Sequence, residues 1–505
     1  MSHETDGPVK ARYLKLQSDR DPYVDRAKRC AKLTIPSVFP ENPEAGGAAA
    51  IPTTYQGLGA RGVNTLSSKL ALALFPPNSP FFRLSLSDND LRALGARRAR
   101  VEKTLGSIER DAVADLEASG ARMQLTEAFK LLIVTGNALL FLPETGARVY
   151  RLDRYVVVRD PLGNVTEIIT LDMVAHDLLP AKALALIEKK DGADTKPVEV
   201  YTHIRREPTR WAVSQEINGH KVPGSAGHYP LDASAWIPLR FVALAGEHYG
   251  RSYVEEFLGD LTSYEALSKA IVEGAAAAAK VLFLVKPGSV TSANVIAEAP
   301  NCAVRSGDAN DVSTLQLNKF ADFRVALEQL QNLERRLSMA FMLTSAVQRN
   351  GERVTAEEVR IMAGDLEDAL GGLYSVLTQE LQLPIVNRHL ARMQRARKIP
   401  AFPKGVVRPQ IVTGLEALGR GHDLAKLREL LAYIKELGPE VVRDYVKVAD
   451  FIERVGTALG IDMDGLVPTD EELEKMAKDK QAMEAMSTLM PMLQTLMQQR
   501  QQEAM

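Results

Sequence analysis

Two regimes of apolar spacing alternate along the chain. Residues 9–33 repeat at helical intervals, rich in Arg and Lys, and stop in the Pro36 and Pro40 region, which predicts a first helix. Asn42–Thr54 (NPEAGGAAAIPTT) is a loop by composition. Leu66, Leu70 and Leu74 then mark an amphipathic helix that Pro76-Pro77 terminates. Helical blocks follow from about Asp90 to Ser119 and from Gln124 to Gly136. Beyond them the texture turns to β-branched residues. Arg148–Val158 and Val165–Leu171 flank the turn formers of DPLGN, which predicts a hairpin. Val198–Arg205 and Trp211–Ile217 predict a second strand pair, with Asn218-Gly219 at the next turn. The first 250 or so residues therefore read as an α+β unit, helices first and antiparallel strands after.

The spacing lengthens from Val254. Leu258, Leu261, Tyr264, Leu267, Ile271, Ala275, Ala278 and Leu282 keep three-and-four intervals, which predicts a single rod of roughly 30 residues and about 45 Å. The run Ala275–Ala279 thins one end enough for close helix approach. Lys286–Gln316 interrupts with Pro287-Gly288, Pro300 and Gly307, a small β-containing excursion. A second long helix runs through Phe320, Phe323, Leu327, Leu330, Leu333, Leu337 and Phe341. Next comes a short polar segment, Gln348–Arg353, carrying Arg349, Asn350, Gly351 and Arg353. A capping box at Thr355 and Glu358 opens the following helix, whose stripe is Val359, Met362, Leu366, Leu370, Leu373 and Leu377. That helix is expected to reach about Ile399, with bends at Gly371-Gly372 and Pro384. Ile399–Gln410 (IPAFPKGVVRPQ) reads as a Pro-rich linker. A helical C-terminal unit starts near Thr413; its last helix opens at Thr469 and bears a methionine stripe, Met476, Met483, Met486 and Met490. By spacing alone, Gln348–Arg353 is either an ordinary turn between helices or a basic loop projected at a partner.

Composition narrows the function. At 505 residues, 46% apolar and 25% charged, the chain is of ordinary globular type and long enough for several domains. A formal net charge of −2 argues against a dedicated nucleic-acid binder, though not against a protein that surrounds a duplex and lets it slide. Two distant cysteines, Cys30 and Cys302, predict a reducing compartment without disulfides. The N-terminus has no signal-peptide core and Ala275–Val285 is too short to span a bilayer, so a soluble, intracellular product is expected. No phosphate-binding G-x-x-x-x-G-K-[ST], no G-x-G-x-x-G after a strand, no H-E-x-x-H and no G-x-S-x-G occurs. A hairpin could bring His220 and His228 together, but a metal site needs further ligands. Glu357, Glu358, Asp365, Glu367 and Asp368 read as a solvated acidic face. No catalytic residue, metal or cofactor is assigned. Long seam-bearing helices without a catalytic constellation predict assembly, and closed rings satisfy such seams without free ends.

Several stretches resemble the portal (head-to-tail connector) proteins of short-tailed podoviruses of the autographivirus type. They are GLGARGVNTLSSKLALALFPP, YRLDRYVVVRDPLGNV, VEVYTHI, GEHYGRSYVEEFLGDL, RLSMAFMLTSAVQRNGERVTAEEVR, LEDALGGLYSVLTQELQLP and VTGLEALGRG, in the family's order and across nearly the whole chain. The resemblance lapses past about Gln481. It implies a mainly α portal fold with an α+β wing, assembling into a dodecameric ring at one vertex of the phage head. The wing would cover 1–249, stem helices 250–283 and 319–343, the clip 284–318 and a tunnel loop 344–354. Residues 355–410 would form the tunnel helix and return to the wing, and 411–505 would form a helical crown.

The same resemblance implies the partners: double-stranded DNA without sequence preference, the packaging terminase, the tail adaptor, capsid and scaffolding proteins and internal core proteins, with no membrane. Assembly would occur in the host cytoplasm and the product would sit at the head–tail vertex of the virion. On this map Gln348, Arg349, Asn350, Gly351 and Arg353 line the channel, and Lys286 and Arg305 are the charged clip candidates. Ala275, Ala278 and Ala279 pack subunits together. The alternatives are another head or tail structural protein, an adaptor or scaffold without a DNA channel, and a packaging enzyme, which the missing phosphate loop disfavours.

Overall fold

The computed structural model describes residues 8–40, 51–76, 80–86, 98–186, 197–278, 282–315, 320–343, 366, 370, 376–402, 406–412, 432–433 and 452. The chain divides into two compact units, Met1–Gly414 and Leu415–Met505, and every element below belongs to the first. Four helices build its base: α1 (Pro8–Leu33), α2 (Leu58–Leu74), α3 (Arg98–Ala118) and α4 (Ala121–Thr135). Each forms for a local reason. In α1 the buried positions Tyr13, Leu16, Arg20, Val24, Ala27 and Cys30 recur every three or four residues. Helix α2 buries Leu66, Leu70 and Leu74 and ends at Phe75, before the proline pair. Helix α4 lies between left-handed glycines, Gly120 and Gly136, and its last half is buried all round, from Phe129 to Thr135 with one partial exception. An apolar helix of that kind is the centre of a core rather than a face.

The strands fall into separate sheets. The larger contains β4 (Tyr155–Arg159), β5 (Val165–Val174), β6 (Val198–Arg206), β7 (Arg210–Ile217) and β8 (His220–Lys221) in that order, with β9 (Gly227–Pro230) also on β7. The DPLGN hairpin and the Asn218-Gly219 turn occur as the sequence predicts. Asp160 accepts from the backbone N–H of Asn164 at 2.8 Å, and Asn218 and Gly219 both take positive φ. Arg148–Tyr150, read from the sequence as the start of the hairpin strand, is instead a strand of its own. Call it β3: after it, a 3₁₀ turn at Leu152–Arg154 breaks the run, and it pairs with β2 (Asn137–Phe141) in the sheet order β10-β2-β3, where β10 is Trp236–Arg240. The sequence pattern missed β2 and β10 because both are buried on nearly every residue and so carry no alternation.

Two further readings are corrected. The linker reading of Ile399–Gln410 gives way, in part, to a strand: β13 (Val407–Ile411) pairs antiparallel with β1 (Phe82–Leu86). Pro409 is tolerated because it stands opposite Leu84 at a position whose N–H would point away from the partner. The continuous rod also breaks. A single turn, Tyr253–Glu256, is capped by Ser252, and α5 then runs from Leu258 only to Ala278, 21 residues or about 32 Å. Leu282–Val285 is a strand, β11, paired with β12 (Val312–Leu315). A short apolar run such as LFLV fits either period, and here the strand pairing decides it. Helix α6 (Phe320–Ala340) follows and packs antiparallel on α5, with Arg336 bridging to Asp260 at 2.7 Å.

Helix α7 (Leu383–Arg395) returns to the base, with Pro384 in its first turn as expected of a helix start. On it His389 is buried, its ring between the carbonyl of Ala112 at 2.9 Å and Arg392 at 3.0 Å, with Asp115 and Lys398 beside them. Burial, followed by the charge of Arg392, pushes its pKa down to about 4. The neutral ring is therefore required in the folded state, while the unfolded state protonates near the ordinary value of 6.5. Stability should be full above pH 6.5 and fall by up to about 3 kcal/mol as pH drops towards 4. Urea titrations at several pH values check this, and a His389→Gln variant should lose that part of the pH dependence.

Candidate functional site

Three parts of the first unit carry the residues that the sequence singled out. The excursion between α5 and α6 is the first. Its hairpin β11–β12 is continued by Lys286, whose backbone N–H donates to Asp311 at 3.0 Å. Thr291 ties the intervening loop together, accepting from Asp308 N–H at 2.9 Å and reaching the Asp311 carboxylate at 3.2 Å. Lys286 and Arg305 are both exposed on this unit. Large apolar side chains beside them are exposed as well: Phe283 by 60%, Val290 by 92% and Val304 by 98%. Side chains of that kind on a small two-stranded unit are what a partner surface supplies with cover.

The second part is the α5–α6 pair. Ala275 is exposed and Ala278 half-buried on α5, whereas Ala279 lies outside the described residues. Val272, Val325 and Leu327 add exposed apolar area on the two helices.

The third part is the segment Thr344–Val354, which includes Gln348, Arg349, Asn350, Gly351 and Arg353 and lies outside the described residues. Its near flank is described, and beyond it the chain is described at 366, at 370 and from 376. On the near side α6 closes in a Schellman turn, with Leu343 N–H donating to Ser338 O at 2.8 Å and Met342 N–H to Met339 O at 3.0 Å. Met342 takes φ +55, a conformation usually left to glycine. Lys69 Nζ donates to the Met342 carbonyl at 2.7 Å, and Tyr253 Oη donates to the Ala340 carbonyl at 2.7 Å. Phe341 is fully buried, in edge contact with Tyr253.

Further along the chain, the helix leading into α7 makes one turn of π-helix at Thr378–Gln382. Such turns are rare and frequently lie at functional sites. Glu380 receives Arg240 through two nitrogens, at 3.1 and 2.5 Å, and Arg159 stands 3.5 Å away. Arg159 also donates to the carbonyls of His248, Gly163 and Pro238, and burial pushes its pKa down to about 10. Gln382 donates to the Leu74 carbonyl at 2.7 Å, fixing the same turn to the end of α2.

Beside Arg240 sits a close backbone crossing. Asn137 grips Gly250 twice, accepting from its N–H at 2.7 Å and donating to its carbonyl at 2.9 Å. A Cβ on Gly136 would meet the Arg251 backbone at 2.5 Å. These tethering residues were not assigned roles from the sequence. Some lay within the stretches that carry the resemblance, Gly62 and Lys69 in GLGARGVNTLSSKLALALFPP and Gly250 in GEHYGRSY, but nothing local says what they touch. Among the described residues no group of three or more His, Cys, Asp or Glu could hold a metal ion, and no helix is long and apolar enough to cross a membrane.

Comparison with known proteins gives the family. The model of the bacteriophage head to tail connecting protein family matches residues 7–467. The chain is 43% identical over 490 residues to the portal protein of Escherichia phage T7, covering 94% of this chain and 91% of that one. To the portal protein of Enterobacteria phage T3 it is 43% identical over 480 residues, covering 93% and 89%. To that of Enterobacteria phage SP6 it is 32% identical over 479 residues, covering 93% and 91%. Among solved structures, the neck of an empty GTA particle aligns over 84% of this chain and 93% of its own, at 15% identity and a TM-score of 0.38. The assignment rests on the sequence relatives.

Proposed function

The chain belongs to the bacteriophage head to tail connecting protein family, as a portal protein, and from that premise we propose that it closes into a dodecameric ring at one capsid vertex. Double-stranded DNA would enter through the ring during packaging and leave through it at ejection. The observation that carries this reading is the match to named portal proteins over nine-tenths of both chains. The structure adds physical support, because α5, α6 and the β11–β12 unit leave apolar side chains exposed that a neighbouring copy or a docked partner would cover.

The parts take family roles in this proposal. The base, with its two larger sheets, is the wing, and β13 belongs to it through its pairing with β1. Helices α5 and α6 are the stem, packing between subunits at Ala275, Ala278 and Ala279. The β11–β12 unit is the clip, presenting Lys286 and Arg305 to the terminase during packaging and to the tail adaptor afterwards. The crown is formed from 411–505. Capsid, scaffolding and internal core proteins complete the set of partners. No catalytic step is assigned to the chain; it is a passage and a platform, assembled in the host cytoplasm.

Thr344–Val354 is the tunnel loop of this scheme. A duplex carries one negative charge per ~1.7 Å of axis, so a collar of Arg349 and Arg353 would hold it without reading sequence. The near-neutral remainder, at a net charge of −2, would let it pass. Gly351 gives the loop freedom of backbone angle. Replacing Arg349 and Arg353 together by alanine should leave ring assembly intact and reduce the DNA retained per particle several-fold, read by nuclease-protected DNA in purified heads. Unchanged DNA content would remove the loop from the mechanism.

A further inference from the structure

We propose that Gly62 and Lys69 of α2 form a cradle that fixes where the tunnel loop leaves α6, which makes Lys69 a positioning residue for that loop. This rests on the channel reading of Thr344–Val354 given above. Gly62 and Lys69 stand seven residues apart, two helical turns, and so share one face of α2. That face meets the last residues before the loop. A Cβ on Gly62 would sit 2.6 Å from Cγ of Phe341, so only glycine admits the ring. One step on, Lys69 is only 7% exposed and donates to the Met342 carbonyl at 2.7 Å.

Each contact meets a need of the α6 terminus. A helix ends with carbonyls that have no partner within the helix and with partial negative charge, so a buried ammonium there is favourable. Met342 sits in the left-handed region, where a side chain is strained and the surroundings must hold the conformation. Phe341 under Gly62 and Lys69 on the Met342 carbonyl hold the residues on either side of that strained φ. Tyr253 adds a third tie at Ala340. The direction in which the chain departs at Leu343 is thus set by α2, some 270 residues away in sequence.

Lys69→Met tests the cradle, since methionine fills similar volume without the donor. Phage particles assembled with this variant as their sole portal should form rings in normal yield. Hydrogen exchange at Met342–Leu343 should accelerate at least ten-fold, and DNA retained per particle should fall several-fold. Three outcomes, with the double arginine variant as comparator, separate the ideas. Normal exchange and normal retention in Lys69→Met, with retention lost in the double arginine variant, would overturn the cradle and spare the channel. If the double arginine variant retains DNA normally, the channel reading fails, and the exchange at Met342–Leu343 still decides whether Lys69 holds that turn. Failure of Lys69→Met to form rings at all would make Lys69 a folding residue and overturn the positioning role.

Discussion

Glu380→Ala should destabilise the first unit by about 3–5 kcal/mol, the cost of stripping the counter-charge from buried cations. Arg240 and Arg159 are nearly enclosed, and Glu380 is the carboxylate that both of them face within 3.5 Å. With alanine in place, Arg240 loses its bonds to the carboxylate and keeps one to the Glu247 carbonyl at 3.3 Å, while the protein still prevents its hydration. Arg159 keeps three backbone carbonyls and suffers less. Urea unfolding followed by tryptophan fluorescence reads the loss, because Trp236 lies on β10 with Arg240. A companion variant sharpens the interpretation. Arg240→Met with Glu380→Leu removes the charge pair together and should recover much of the loss. A drop below about 1 kcal/mol for Glu380→Ala would mean that water reaches the cluster.

Gly136→Ala is expected to cost about 4 kcal/mol, or to abolish folding at ambient temperature. Two penalties add. At φ +76 a Cβ carries the left-handed penalty of roughly 1–2 kcal/mol. The same Cβ would press on backbone rather than on a side chain, reaching Ser252 N at 2.6 Å and Arg251 C at 2.5 Å, so the crossing of the two chain segments must open. Opening it separates Asn137 from Gly250 and breaks both of their hydrogen bonds. Thermal unfolding measures the effect. A near-wild-type midpoint would show that the crossing can slide without cost. Gly163, on the DPLGN turn, is the contrast, because a Cβ there would meet only the far end of Arg240 at 3.3 Å.

The helices were legible because each declares itself locally. A proline pair follows α2, glycines bound α4, and buried residues recur every three or four positions in α1. The hairpins were legible through their turns, DPLGN and Asn218-Gly219. What escaped had no local signature. Strands β2 and β10 are buried on both faces, so their period of two is erased. Strand β13 contains a proline that only the geometry of its pairing with β1 excuses. The end of α5 was misplaced because an apolar run satisfies a helix or a strand until a partner strand is known.

The candidate site divides in the same way. Arg349 and Arg353 were found as charged residues in a loop, and the family resemblance gave them a role. The partners of Lys69 and Arg240 could not be read at all, because Lys69 acts on a carbonyl 273 positions away and Arg240 on a carboxylate 140 away. Gly62 and Gly250 belong to stretches shared with the family, and their service is to let another segment approach.

The most direct test of the central claim is an image of the purified full-length protein. Negative-stain class averages viewed down the axis are predicted to show a closed ring of twelve subunits around a hole wide enough for a duplex. Monomers or dimers persisting at high protein concentration, or a ring with no central opening, would contradict it.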